Sequence, residues 1–327
     1  MAEPTDVKST GGMKEEIAIT FHEAVAVTIT LLKIMIPLSI IVHVLRIFGM
    51  VNRIGHALYP LMSFVGLPGE LGLVWGTAMI TNIYGGLLVF VTLAQTHSYS
   101  VAQVTVLATM ILIAHTLPVE LRIAQRAGVR LWFILCLRVG CAFLLGYLLF
   151  SCFSLCSWYT EPVTVLWNPG TVDTSLVGLV LREIQNYLMI FGIIICLLFL
   201  MKFLTKTGVI DKLNTLLEPG LEMLGMSKHA APLAIIGLTL GISYGGGLII
   251  KETTSHHITK KDAFLSISMM GLSHSLIEDT LLMVAIGASV FGIIFARVAF
   301  TIGIMLLLIT LINRLPRTIF RKYLTNK

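Results

Sequence analysis

Long apolar runs separated by short polar clusters set the pattern along this chain. The first run, from about Ala24 to Phe48, contains Lys33 and Pro37 and is long enough to cross a hydrocarbon core of roughly 30 Å. From Val51 to Phe64, Asn52, Arg53 and His56 mix with Ile54, Leu58, Leu61 and Met62. That pattern predicts an amphipathic helix lying at an interface, ended by Gly66-Leu67-Pro68-Gly69. Glu70 to Leu93 is apolar but interrupted, and Val101 to Ala127 carries His115-Thr116-Leu117-Pro118-Val119-Glu120. Leu131 to Phe150 is apolar apart from Arg138. After a polar connection from Ser151 the order repeats: Ile184 to Phe203, an amphipathic Val209 to Leu224, an interrupted His229 to Ile250, a polar-interrupted Phe264 to Ile286, and Ser289 to Ile312.

The interruptions organise the rest. Leu240-Gly241-Ile242-Ser243-Tyr244-Gly245-Gly246-Gly247 puts four glycines inside an apolar segment, and Thr81-Asn82-Ile83-Tyr84-Gly85-Gly86 is its counterpart in the first half. Each interior glycine costs a helix on the order of 1 kcal/mol relative to alanine, so the chain is expected to unwind at both places. Irregular backbone at membrane depth survives only against protein or a water-filled cavity, and paired breaks in two halves point to a transporter's binding site. Gly49 and Gly208, Pro60 and Pro219, Gly66 and Gly225, His97 and His256, His115 and His274, and Arg138 and Arg297 are all 159 residues apart. One shared interval over so many landmarks implies an internal duplication.

Composition agrees with a membrane location. The 327 residues are 56% hydrophobic and 12% charged, with a mean hydropathy of +0.91, whereas soluble domains carry roughly 25% charged residues. The net charge of +6 lies in short clusters between apolar runs, where membrane orientation puts it, so no nucleic-acid partner is expected. Cys136, Cys141, Cys152, Cys156 and Cys196 show no metal-ligand spacing with histidine; a Cys152–Cys156 bridge is open, and buried free thiols fit the apolar setting better. Residues Met1 to Glu16 lack the short apolar core of a secretory signal and read as a loose tail.

Charge also orients the chain. Arg314, Arg317, Arg321, Lys322 and Lys327 follow the last apolar run, which puts the C-terminus in the cytoplasm; the connection carries Glu161 and Asp173 without a base, which puts it outside. An odd number of crossings must separate them, yet four apolar segments intervene. His229 to Ile250 has Lys202, Lys206 and Lys212 before it and Lys251, Lys260 and Lys261 after it, so this segment is expected to enter and return on one side. Glu70 to Leu93 follows the same rule. The expected fold is therefore all-α and integral to the cell membrane: two inverted repeats, each with three transmembrane helices, one interfacial amphipathic helix and one re-entrant helical hairpin. Both termini are cytoplasmic, Arg122, Arg126 and Arg130 fall inside, and Arg46 and Arg53 fall outside as exceptions. The expected boundaries are a tail at 1–23, repeats at 24–150 and 182–312, a connection at 151–181 and a basic tail at 313–327.

The order of elements, with Phe48-Gly49-Met50-Val51, Gly66-Leu67-Pro68-Gly69 and Gly241-Ile242-Ser243-Tyr244-Gly245-Gly246-Gly247, resembles proteins carrying the nucleoside recognition, or Gate, domain. These include the spore maturation A and B type membrane proteins and, more distantly, the concentrative nucleoside transporters and the membrane part of the B-type ferrous iron transporters. The resemblance covers about residues 24 to 312. It implies two hairpin tips, at Asn82 to Gly86 and Ser243 to Gly247, facing two broken helices with the ligand between them.

His115, Glu120, His274, Glu278 and Asp279 are ionisable groups in apolar segments, where charge is costly unless paired or hydrated. Together with Asn82, Tyr84, Gly85, Gly86, Ser243, Tyr244, Gly245 and Gly246 they form the candidate substrate-binding set. Three roles stay open for the histidines and carboxylates: contact with a solute or coupling ion, a transition-metal site, or internal hydrogen bonding to freed carbonyls with Glu120 neutralising Arg122 or Arg126. Arg138 and Arg297 are expected to pair with a carboxylate of their own half. The leading function is a multi-pass permease that moves a small polar solute by alternating access, without a cofactor and with a proton or sodium ion as the candidate coupling ion. A non-transporting assembly or sensor protein and a divalent metal transporter are the alternatives. A second copy of the chain is an admissible partner, and no enzymatic constellation is expected. Single cysteines placed at Ser98 and Ser255 test the topology: a membrane-impermeant thiol reagent applied from one side should label only one of them, and labelling of both would remove the inversion.

Overall fold

The computed structural model describes residues 13–164, 176–254 and 257–326. Residues 1–12 of the expected tail, 165–175 of the connection, and Ser255 lie outside the described residues. The first half comprises α1 (Met13–Ile47), α2 (Met50–Met62), α3 (Leu71–Ile80), α4 (Ile83–Ala94), α5 (Val101–Ile113), α6 (Leu117–Arg126) and α7 (Leu131–Cys156). The second comprises α8 (Leu176–Lys206), α9 (Val209–Met223), α10 (Ala230–Leu240), α11 (Ile242–Thr254), α12 (Lys260–Ser273), α13 (Glu278–Ala285) and α14 (Arg297–Arg314), the last preceded by a π-helical turn at Phe291–Ala296. Among the described residues no strand forms, and α1 starts ahead of the expected Ala24.

Among the described residues, five stretches are long and apolar enough to cross a membrane: Ile17–Ile47, Val101–Arg126, Leu131–Cys156, Glu183–Lys206 and Phe291–Arg314. The sixth expected crossing, Phe264 to Ile286, is instead divided into α12 and α13. The backbone turns left-handed at Ser275 as it does at Thr116 between α5 and α6, but four residues, 274–277, are non-helical here against three, 114–116, in the first half, and neither α12 nor α13 alone reaches crossing length. Burial sorts the long helices into layers. Of the most apolar 18 residues in Val101–Arg126, 83% are buried, against 17% in the corresponding stretches of α1 and α8. α1 exposes Ile29, Ile36, Ile40 and Ile41, and α8 exposes Leu188 and Phe203. Such rows of large apolar side chains suit acyl chains, which cost them nothing that water would. The cysteines belong to the same faces. All five are free, but Cys136, Cys156 and Cys196 are exposed and only Cys141 is fully buried, which corrects the expectation of buried thiols.

The interrupted apolar segments fold back on themselves. A Cβ placed on Gly86 would lie 2.7 Å from Ala78 Cβ, and one on Gly245 would lie 2.4 Å from Gly237 Cα. Each pair is equidistant from a break, at Asn82 or Gly241, which is the mark of an antiparallel hairpin. Asn82 is extended and caps α4, its Oδ1 accepting from Gly85 N–H at 2.9 Å, while Gly241 at φ +100° takes a conformation that side-chain-bearing residues avoid. The tips are therefore at Thr81–Asn82 and Gly241. Gly85, Gly86, Gly245, Gly246 and Gly247 are helical, and Gly86 and Gly245 are small so that the two arms can touch, not so that the chain can unwind. Because the breaks are 159 apart, the counterpart of Tyr84 is Ser243 and not Tyr244, which corrects the aromatic pairing read from the sequence.

The backbone repeats itself at the same interval. Left-handed residues occur at Gly49 and Gly208, Gly66 and Gly225, Thr116 and Ser275, and Gly128 and Gly287. Reciprocal capping boxes start α5 at Ser100 with Gln103 and α12 at Thr259 with Asp262. Helix α7, 26 residues and so about 39 Å long, fixes the two ends of the molecule. At its start, Arg130 N–H donates to Leu324 O and the Asn326 amide reaches Gln125 O and Val129 O; Lys260, opening α12, donates to Asn326 O. Beyond its far end, Tyr159 O and Glu161 O accept from Ala102 and Val101 at the start of α5. Helices α5 and α12 thus begin at opposite ends of α7.

The glycine argument is testable within one motif. Gly245→Ala should destabilise the protein by about 1–3 kcal/mol, because its methyl meets backbone that cannot swing aside. Gly247→Ala, with nothing within 4 Å, should be neutral or slightly stabilising. Thermal unfolding of the two variants in detergent measures the difference.

Candidate functional site

Breaking a helix inside an apolar interior frees carbonyls that must find donors. Here two arginines with no exposed surface supply them. Arg138 of α7 donates from Nε to Ile113 O at 2.7 Å and from Nη2 to His115 O at 3.1 Å. Arg297 of α14 repeats this on the other break, with Nε to Leu272 O at 3.0 Å and Nη2 to His274 O at 3.1 Å, and Nη2 also reaches across to Leu112 O at 2.9 Å. Each break is tied to the hairpin of its own half: Thr116 N–H donates to Ala78 O at 2.9 Å and Leu276 N–H to Leu238 O at 2.8 Å. The guanidinium, planar and rich in donors, is suited to holding several carbonyls at once.

These ties aim the two histidines at each other. His115 Nδ1 donates to Ile111 O and His274 Nδ1 to Met270 O, both at 2.8 Å. The two Nε2 atoms then stand 3.3 Å apart, with the rings tilted by 38°. Carboxylates cross between the halves. Glu120 Oε1 lies 3.3 Å from His274 Nε2 and 3.7 Å from His115 Nε2, and Asp279 Oδ2 lies 3.6 Å from His115 Nε2. The exposures of His115, Glu120, His274 and Asp279 are 5, 5, 2 and 8%, so the cluster is closed to solvent. Glu120 Oε2 is held by Arg138 Nη1. The equivalent Arg297 Nη1 has no hydrogen-bond partner among the described residues. Asp279 stands where Glu120 stands in the other half, one methylene shorter, and it turns to His115 instead.

The sequence-selected residues divide accordingly. His115, Glu120, His274 and Asp279 come together, but not as positions on continuous helices: the break at Ala114–Thr116 separates His115 from Glu120, and residues 274–277 separate His274 from Glu278. Glu278 therefore does not share a face with His274. It accepts from the Tyr84 hydroxyl at 3.4 Å, which links the first hairpin to α13. Asn82, Gly85, Gly86 and Gly245 serve the hairpins themselves, whereas Gly246 packs the second hairpin against Ile123 of α6. The side chains of Ser243 and Tyr244 lie outside the described residues. Glu120 is engaged by Arg138, while Arg122 bonds Gln125. Arg297 departs from the expected pairing with a carboxylate of its own half. Asn186 was not among the expected residues: it is fully buried on α8, and neither side-chain polar atom has a partner among the described residues. Its signal was present in the amide pair Gln185-Asn186 at the head of the apolar run from Ile184 to Phe203. The match of Glu120 to Asp279 was likewise legible at the 159 interval.

A helical membrane protein with this duplicated core belongs to a known class. The Gate family model, described as nucleoside recognition, matches residues 28–129 and 187–305, and the chain is a member of that family. The two matches begin 159 residues apart, as the repeated landmarks do. The uncharacterized membrane protein YvoD of Bacillus subtilis (strain 168) is similar at 26% identity over 279 residues, covering 83% of this chain and 86% of the relative. No solved structure matches the chain.

The Arg138–Glu120 pair can be tested by its asymmetry. Arg138→Met strands a buried carboxylate and two carbonyls and should cost about 3–5 kcal/mol, whereas Arg138→Met with Glu120→Gln should recover part of that loss. A double-mutant cycle of thermal midpoints gives the coupling.

Proposed function

We propose that this protein is a permease of the cell membrane that moves a small polar solute by alternating access between two inverted repeats. The reading is carried by one observation: His115 and Glu120 from the first half and His274 and Asp279 from the second converge on a single buried point. Ionisable groups inside a membrane segment are costly, and where they face a shared interior they mark a path for a solute or ion. The opposite placement of the α5 and α12 starts along α7 supports inversion, since equivalent helices then enter from opposite leaflets. The hairpins α3–α4 and α10–α11 are too short to cross and fit re-entrant elements. With both termini cytoplasmic, the basic residues Arg126, Arg130, Lys260 and Arg314 gather on the inner side.

In this scheme the two breaks act as hinges, and the Tyr84–Glu278 contact is one of the links a cycle exchanges. A proton or sodium ion is the coupling ion best matched to the carboxylates. The test is uptake into proteoliposomes against a panel of small polar solutes that includes nucleosides. We expect at least one solute to enter, and Asp279→Asn to abolish its uptake while the thermal midpoint stays near that of the parent. Absence of uptake for every solute by folded protein would favour the assembly or sensor reading instead.

A further inference from the structure

The cluster at the repeat interface gathers more acceptors than donors. A carbonyl oxygen can only accept, so Ile111 O and Met270 O require the proton on Nδ1 of His115 and His274. In the neutral rings both Nε2 atoms then present lone pairs to each other at 3.3 Å. Glu120 Oε1 and Asp279 Oδ2, also acceptors, face the same point. Four lone-pair donors converge with no hydrogen between them.

The geometry points to a divalent transition-metal site formed by His115 Nε2, His274 Nε2, Glu120 Oε1 and Asp279 Oδ2. A tetrahedral cation with bonds of about 2.0–2.1 Å holds its donors roughly 3.3–3.4 Å apart. Of the six separations among these atoms, four are 3.3 Å between the nitrogens and 3.3, 3.6 and 3.7 Å from nitrogen to oxygen. One atom each from His115, His274 and Asp279 lies within 4.8 Å of the others. Two imidazoles and two carboxylates suit a zinc-like ion better than magnesium or calcium, which prefer oxygen alone. The outer contacts also match: each ligating ring donates its other N–H to a backbone carbonyl, and Arg138 fixes the second oxygen of Glu120. Arg138 is paired with Glu120, whereas no arginine pairs with Asp279 among the described residues, so Asp279 is the carboxylate most open to a cation.

As cargo, this ion names the solute class of the proposed permease and in that respect rests on that reading. The site itself rests on geometry alone. The experiment uses full-length protein in detergent, stripped with a chelator and titrated with Co²⁺, then with Zn²⁺. The expected result is the visible absorption of tetrahedral cobalt, saturating at one equivalent and displaced by Zn²⁺ but not by Mg²⁺. His274→Ala and the shape-conserving Asp279→Asn should each weaken Co²⁺ binding by about tenfold or more. His257→Ala, on the exposed surface, should leave it unchanged. Absorption that survives in both site variants overturns the assignment, and so does its absence in parent protein that still melts cooperatively, which leaves protons as the cluster's only cations. Loading the same protein into vesicles with a trapped metal indicator separates the two ideas. Binding without entry keeps the site and removes the ion as cargo; uptake of another solute without metal binding keeps the permease and removes the site.

Discussion

A helix broken in apolar surroundings leaves carbonyls that neither water nor lipid will satisfy, and everything at the centre of this molecule follows from how that demand is met. Arg138 and Arg297 reach in from the long helices that follow each break and hold Ile113 O, His115 O, Leu272 O, His274 O and Leu112 O. A buried guanidinium is itself expensive, but with its N–H groups on carbonyls and a carboxylate beside it the cost is offset. The breaks thereby become fixed structures. Their left-handed residues, Thr116 at φ +50° and Ser275 at φ +48°, are strained positions that this bonding can sustain.

Fixing the breaks fixes the chemistry. Because each arginine takes the carbonyl of the histidine in its own half, both rings are turned toward the interface, and each ring's Nδ1 is anchored one turn back on its own helix. The carboxylates then meet the opposite half's histidine, so neither repeat can complete the cluster alone. The duplication is not perfect, and its main departure lies here. A glutamate at 120 spans both Arg138 and the histidine pair, whereas aspartate at 279 is too short to do both and leaves Arg297 Nη1 without a partner among the described residues. Two otherwise equivalent halves are thus held by unequal contacts.

Much of this was legible in the chain. The 159 interval, the two amphipathic helices, the hairpins and the ionisable residues in apolar segments all follow from periodicity and from the cost of charge in hydrocarbon. Other features were not. The glycines after each tip read as unwinding residues because helix propensity is a local quantity, yet in the fold they allow Gly237 and Gly245 to touch across a hairpin. Tyr84 and Tyr244 looked equivalent because the eye aligns aromatic rings; the backbone aligns the breaks and pairs Tyr84 with Ser243. The spacing of His274 and Glu278 suggested one helical face, but that argument fails once the helix stops between them. Asn186 is one of two adjacent amides, Gln185 and Asn186, and which of them is buried depends on the neighbours the fold supplies.

The central claim is that two histidines, one from each repeat, carry their ring protons on Nδ1 and turn bare Nε2 atoms toward each other. Solid-state ¹⁵N NMR of histidine-labelled, metal-free protein in lipid bilayers, with the two rings assigned through His115→Asn and His274→Asn, measures this directly. The account predicts that both residues are Nδ1–H tautomers with a through-space correlation between their Nε2 atoms. Nε2–H tautomers in both rings, or no such correlation, would contradict it.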